Sequence, residues 1–282
     1  MMNEETILDQ VWPEVWALLE ATLREEETAV SHHLAPDSPA ADLLDLFGLP
    51  VFDILLKTIL DEEQLELTQA VEISEGIFVE FAWTLPPATV ARLPVDGAVS
   101  VLLRPVNGRY RIVDVNPNGL DLLLTEARAR TILATTKILD QKDDLSTEPW
   151  VLPLALFAGW LPLPLRPQAL ADSAESLFLP GLQQRESGVL SLLRARRLWR
   201  DFKAVQPLPI GSPAVWAAAV EWVMGEQNSR LMPLTAVAEA YNVSPDKLSA
   251  CAETIKTALN ITGLDERYTD WHMLDVLYDD ED

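Results

Sequence analysis

Few residues in this chain could do chemistry, and their spacing does not bring them together. The histidines are His32, His33 and His272. Adjacent histidines point apart on a helix or a strand, and although Asp37 is near, no third ligand stands at a metal spacing, so the pair reads as structural or solvent-facing. Cys251 is the single cysteine, which excludes an intrachain disulfide and any multi-cysteine zinc or iron–sulfur site. The chain has no Gly-rich phosphate loop and no Gly-x-Ser-x-Gly elbow. Its acidic runs, Glu25-Glu26-Glu27 and Asp61-Glu62-Glu63, lack the alternating oxygen ligands and glycine of a calcium loop. No catalytic residue, metal or cofactor is assigned.

Charge is the stronger signal. The formal net charge is −23 over 282 residues. Met1 to Ala70 carries 16 acidic and 2 basic residues, and Ala204 to Asp282 carries 13 and 4. Between Gly181 and Lys203 the balance reverses, with 6 basic residues against Glu186 and Asp201. Arg194, Arg196, Arg197, Arg200 and Lys203 are the candidate interaction residues of this electropositive island. A helix over Gly188–Val205 would place Leu192, Ala195, Leu198, Trp199 and Phe202 on one side, and Arg196, Arg200 and Lys203 on another. The expected role is a clamp on carboxylates of the N-terminal segment or the tail.

Leu234 to Cys251, LTAVAEAYNVSPDKLSAC, has the spacing of a helix-turn-helix. Val237, Ala238, Tyr241, Val243, Leu248 and Cys251 would pack two short helices, with Asn242 in the left-handed turn position. The second helix would offer a DNA groove Ser244, Pro245, Asp246, Ser249, Ala250 and Glu253, with only Lys247 and Lys256 for phosphates. Duplex DNA is therefore disfavoured as a partner.

The N-terminal part reads as helices followed by strands. Leu8, Trp12, Val15, Trp16, Leu19 and Leu23 recur at helical spacing over Thr6 to about Glu27. Pro39 to Phe47 starts at a Ser38 cap and stops at Gly48, and Val51 to Leu60 makes a third helix. No strand is read between the first and third. The period then becomes two: Leu65, Leu67, Val71 and Ile73, a Ser74-Glu75-Gly76 turn, then Ile77, Val79, Phe81, Trp83 and Leu85. A second hairpin, Ala98–Val106 with Arg109–Val115, turns at Asn107-Gly108. Thr125 to Leu139 reads as a closing helix.

Helices followed by a curled antiparallel sheet ending in VNGRYRIVDVNP resemble the cone-shaped fold of nuclear-transport-factor-like and polyketide-cyclase-like proteins, over about Thr6 to Asn118. An unrelated α+β unit is the alternative. The resemblance implies a cavity in which Asp53, Tyr110 or His33 would stand among Trp12, Trp16 and Trp83. Ser212 to Asn260, with SPAVWAAAVEWVMGEQN before the helix-turn-helix half, resembles a bacterial domain family of unknown function with a Trp-Ala-Ala-Ala helix, and is similar in shape to the cyclin-like repeats of transcription factor IIB.

The predicted class is α+β. Residues 1–144 form an α+β domain, 145–209 a Pro/Leu-rich connector with the basic helix, 210–275 an all-α helix-turn-helix-like domain and 276–282 an acidic tail. The apolar stretch Trp150 to Leu165 is broken by Pro153, Pro162 and Pro164, so no membrane span is expected. Met1 to Gln10 opens with acidic residues rather than a signal peptide, and a cytoplasmic location is expected. Three function classes follow: a non-catalytic adaptor or regulatory protein with a protein partner, a DNA-binding transcriptional regulator, and a small-molecule-binding protein or enzyme using an N-terminal cavity.

Overall fold

The computed structural model describes residues 4–61, 66–74, 76–84, 96–118, 156, 159, 161–185, 187–207, 211–228 and 232–269. The fold is α+β, with helices on either side of a four-stranded antiparallel sheet in the sequence. Internal contacts divide the chain into two compact units, Met1–Ala155 and Leu156–Asp282. The predicted helix Thr125–Leu139, the acidic tail and His272 lie outside the described residues.

In the first unit, α1 (Glu4–Leu23), α2 (Glu27–His33), α3 (Pro39–Phe47) and α4 (Leu49–Asp61) precede β1 (Glu66–Ile73), β2 (Gly76–Thr84), β3 (Asp96–Val106) and β4 (Arg109–Asn118). The α1 stripe shares Val15 and Leu19 with the one read in the sequence and differs from it at Trp12, Trp16 and Leu23. Ile7, Val11, Val15, Leu18 and Leu19 are buried, while Trp12, Trp16 and Leu23 face outward. Both sets have helical spacing, but one residue along a helix is a rotation of about 100°, and the stripe without the bulky tryptophans is the one that meets α2 and the sheet. Helix α2 was not foreseen. The chain reaches it through Arg24 and Glu25, the latter with φ 55.

Helix α3 follows its sequence signals. Ser38 Oγ accepts the Ala41 N–H at 3.2 Å, and the N–H of Gly48, at φ 74, donates to the Leu44 carbonyl. The sheet is a meander, β1-β2-β3-β4. Asn107 (φ 53) and Gly108 (φ 78) both take positive angles, so Val106 pairs Arg109 across a two-residue turn. An irregularity between Leu67 and Gln69 shifts the phase of β1: Ala70 is buried opposite Val79, and Ile73 points out. The alternation predicted with Val71 and Ile73 inward is thereby reversed, as a one-residue slip must do. Ala70, Val79, Val101 and Val115 form one buried row across the four strands, with Ile77, Leu103 and Ile112 beside it. Helices α1, α3 and α4 contact strands of this sheet. After α2, Leu34 makes an isolated parallel bridge to Ile112, and the Ala35 N–H donates to the Ile112 carbonyl at 2.8 Å, covering part of the β4 edge.

The second unit holds α5 (Glu175–Gln184), α6 (Val189–Val205), α7 (Pro213–Gln227), α8 (Leu234–Ala240) and α9 (Pro245–Leu259). Helix α7 is buried nearly all round, from Val215 to Val220 and again at Val223 and Met224. Its three successive alanines let α5, α6, α8 and α9 approach it. Phe178, Trp199, Phe202 and Trp216 form an aromatic cluster with ring centroids 5.1 to 6.4 Å apart. Residues 161–207, read from sequence as a connector, therefore build much of this unit's core. Helix α5, which lies within the stretch read as a connector, carries Pro180 and Gly181 inside it. It is started by Asp172, whose Oδ1 accepts the N–H groups of Ala174 and Glu175, each at 3.0 Å.

Candidate functional site

Among the described side chains, those proposed around an N-terminal cavity do not converge. Asp53 and His32 are exposed. Trp12 and Trp16 are 39% and 52% exposed, with ring centroids 6.3 Å apart on the outside of α1. Tyr110 Oη donates to Gln10 Oε1 at 3.3 Å. His33 Nδ1 lies 3.0 Å from Glu14 Oε1, which also receives Arg111 Nη1. Gln10 and Glu14, one turn apart on α1, thus clip the start of β4 and the end of α2. Of Trp83 only its place in β2 is described. Among the described residues no group of three or more His, Cys, Asp or Glu could hold a metal ion.

The basic island meets carboxylates and carbonyls of its own unit. Arg196 forms a buried ion pair with Glu175 at 2.9 Å and donates to the Ala169 carbonyl at 2.8 Å. Lys203 Nζ reaches Asp172 Oδ2 at 2.7 Å, the same oxygen that accepts Trp199 Nε1–H at 2.9 Å. Arg194 donates to the carbonyls of Glu266 and Arg267 at 3.3 and 3.4 Å. Arg197 lies 3.8 Å from Asp201 in an exposed pair, and Arg200 is also engaged. The apolar side of α6, with Leu192, Trp199 and Phe202, is buried. Burial pushes the Glu175 carboxyl up, and the Arg196 charge only partly offsets this. Burial acts on Asp172 in the same sense, but Lys203, the Glu175 N–H and Trp199 outweigh it and hold that carboxyl below its ordinary value.

Helices α8 and α9 join through Tyr241 to Ser244. Asn242 has φ 52, and the Val243 N–H donates to the Ala238 carbonyl at 2.9 Å. Ala218 of α7 forms a cluster with Val237, Ala238 and Leu248, on which Trp222, Leu234, Tyr241 and Val243 pack. Val243 is only half-buried. The inner face of α9 is Leu248, Ala252, Ile255 and Leu259. Cys251, predicted at a packing position, lies beside that stripe and is half-buried, which still raises its thiol pKa. The outer face carries exposed Asp246, Lys247, Ser249, Ala250 and Glu253. Lys256 is held by Glu253 at 2.6 Å and Glu226 at 3.2 Å.

A second buried carboxylate, on which the sequence reading places no weight, stands on α7. Glu221, on α7, has a side chain only 6% exposed. Its Oε2 receives Arg185 Nη2 and the Tyr241 hydroxyl, the latter at 2.5 Å, while Arg185 Nη2 also donates to Tyr241 Oη at 3.0 Å. Burial, then the Glu221 charge, pushes the Tyr241 phenol far above its ordinary value, so it stays protonated. Gly181 makes room for the group: a Cβ there would lie 2.4 Å from Tyr241 Oη and 2.6 Å from Arg185 Nη2. The available signal was a lone glutamate inside WAAAVEWVM, since a charge on an all-round buried helix needs a partner. Beside this triad lies a cleft of about 110 Å³.

No family model matches this chain, and no curated protein or solved structure was found to match it.

Proposed function

We propose that the protein is a non-catalytic adaptor or regulatory protein that acts through contacts with a protein partner. The observation that carries this reading is the internal neutralisation of the basic island. Moving Arg196 onto a phosphate would leave Glu175 buried without its counter-charge, and breaking a buried pair costs about 3–5 kcal/mol. Lys203 is similarly committed to Asp172. The outer face of α9 then brings Asp246 and Glu253 to any duplex, which disfavours the transcriptional-regulator reading although α8 and α9 have helix-turn-helix spacing. The resemblance of Ser212–Asn260 to the Trp-Ala-Ala-Ala domain family belongs to the same proposal, as does a cytoplasmic location.

The experiment is a pair of titrations on the full chain. Random duplex at physiological salt is expected to show no binding, and affinity of about 10⁻⁶ M would favour the DNA-binding reading instead. Cross-linking in cells of origin, followed by reconstitution with purified protein, is expected to yield a direct protein partner. Finding none, together with turnover of any substrate in an activity screen, overturns the adaptor reading.

A further inference from the structure

We propose that the cleft beside the Arg185–Glu221–Tyr241 triad is a binding site for a small uncharged molecule with a ring-sized hydrocarbon body and one hydroxyl-like group. The proposal goes beyond the adaptor reading and does not depend on it. The cleft's walls come from four helices: Leu182 of α5, Ser191 of α6, Trp222 and Met224 of α7, and Val237 of α8, with Ser187 just before α6. The body of the occupant is set by the apolar members of that lining. An enclosed apolar cavity of roughly 150 Å³ takes a benzene ring. The cleft, at about 110 Å³, is on that scale, and Ser187 and Ser191 stand on its wall where they would receive the polar end of a ring-sized occupant.

The triad sets the charge of the occupant. Arg185 and Glu221 both line the cleft, yet each is already bound to the other and to Tyr241. A carboxylate ligand would compete with Glu221 for Arg185, and an ammonium ligand would compete with Arg185 for Glu221. Either would leave one charge of the pair uncompensated. An uncharged ligand disturbs neither. Because it would touch four helices at once, its binding would also stabilise their arrangement.

The test uses the full-length chain with phenol, benzoate and benzylammonium as probes, read by calorimetry and by thermal unfolding. Phenol is expected to bind with a dissociation constant on the order of 10⁻⁴ M, an ordinary efficiency for about seven heavy atoms, and to raise the unfolding midpoint. The two charged analogues should bind at least about tenfold more weakly. Ser191→Phe, which places a ring in the cleft, should abolish phenol binding with the helical circular dichroism unchanged. If that variant does not fold, Val237→Leu serves as the milder filling and should weaken phenol at least about tenfold. No phenol binding at about 10 mM, equal binding of a charged analogue, or full binding by a folded filled variant overturns the proposal. None of these outcomes bears on the DNA and partner titrations, which are made without the probe.

Discussion

Replacing Arg185 by methionine is the most direct test of how the second unit is held together. The substitution keeps much of the side-chain volume but removes the charge that balances Glu221, whose side chain is 6% exposed on the central helix. Removing one member of a buried pair costs about 3–5 kcal/mol. Arg185 itself is 25% exposed, so the lower end applies. About 3 kcal/mol is a change of roughly 150-fold in an opening equilibrium. The assay is native-state hydrogen exchange of the α7 amides, resolved by mass spectrometry, because a chain with two compact units need not unfold in a single transition. The Arg185→Met, Glu221→Met double variant supplies the control. With both charges gone, apolar side chains of similar volume should restore most of the protection, since a buried ion pair is often no better than the apolar packing that replaces it. A single variant that loses less than about tenfold in protection, or a double variant no better than the single, refutes the reasoning.

Three further outcomes are expected. In an alkaline titration followed by phenolate absorbance, Tyr241 and Tyr268 should stay protonated above the ordinary phenol value, because burial and then a carboxylate neighbour raise both; the folded state holds protons the unfolded chain releases, so stability falls as pH climbs beyond 10, and Gly181→Ala should lower the Tyr241 transition by displacing its hydroxyl. Gly76→Ala should destabilise the first hairpin by about 2 kcal/mol or more in urea unfolding, since its Cβ would lie 2.0 Å from the Leu103 carbonyl oxygen, a backbone atom that cannot swing away. Asp172→Asn should cost about 1 kcal/mol at neutral pH by loosening Lys203; the carboxyl is depressed in the folded state, so its contribution is complete above the ordinary 3.8 and fades as pH falls through the lower folded value, closing the gap between variant and parent.

Local signals in the sequence were legible where a backbone requirement fixed them. Asn107-Gly108, Ser38 with Pro39, Gly48 and Asn242 each supply an angle or a cap that few other residues supply as readily, and each stands at its turn or helix end. Hydrophobic spacing was less decisive. On α1 two stripes one residue apart were equally periodic, and only the packing partner distinguishes Val11 and Leu18 from Trp12 and Trp16. In β1 the bulge after Leu67 reverses the alternation, and no turn residue announces it. The Pro/Leu-rich composition of 145–209 points to a connector, yet α5 accommodates Pro180 in a segment capped by Asp172 and packed against α7. The candidate cavity in the first unit rested on aromatic residues that in part face outward, whereas the triad in the second joins residues 185, 221 and 241, too far apart for any local motif.

The basic island shows why counting charge along a chain does not locate an interaction surface. Six cations in 23 residues read as electropositive because the count stops at Gly181 and Lys203. The acids that meet Arg196 and Lys203 stand just before that window, at Glu175 and Asp172, the one that meets Arg185 is Glu221 on α7, and the carbonyls of Glu266 and Arg267 that receive Arg194 come from beyond α9. What the folded unit presents to a partner depends on which charges are left after this pairing. On the outer face of α9 Asp246 stands exposed beside Lys247, and Lys256 is already shared between Glu226 and the exposed Glu253, so carboxylates outnumber the cations there. The sign of the local field is therefore set by helix packing, and a partner of this face must tolerate carboxylates where the sequence motif would lead one to expect phosphate contacts.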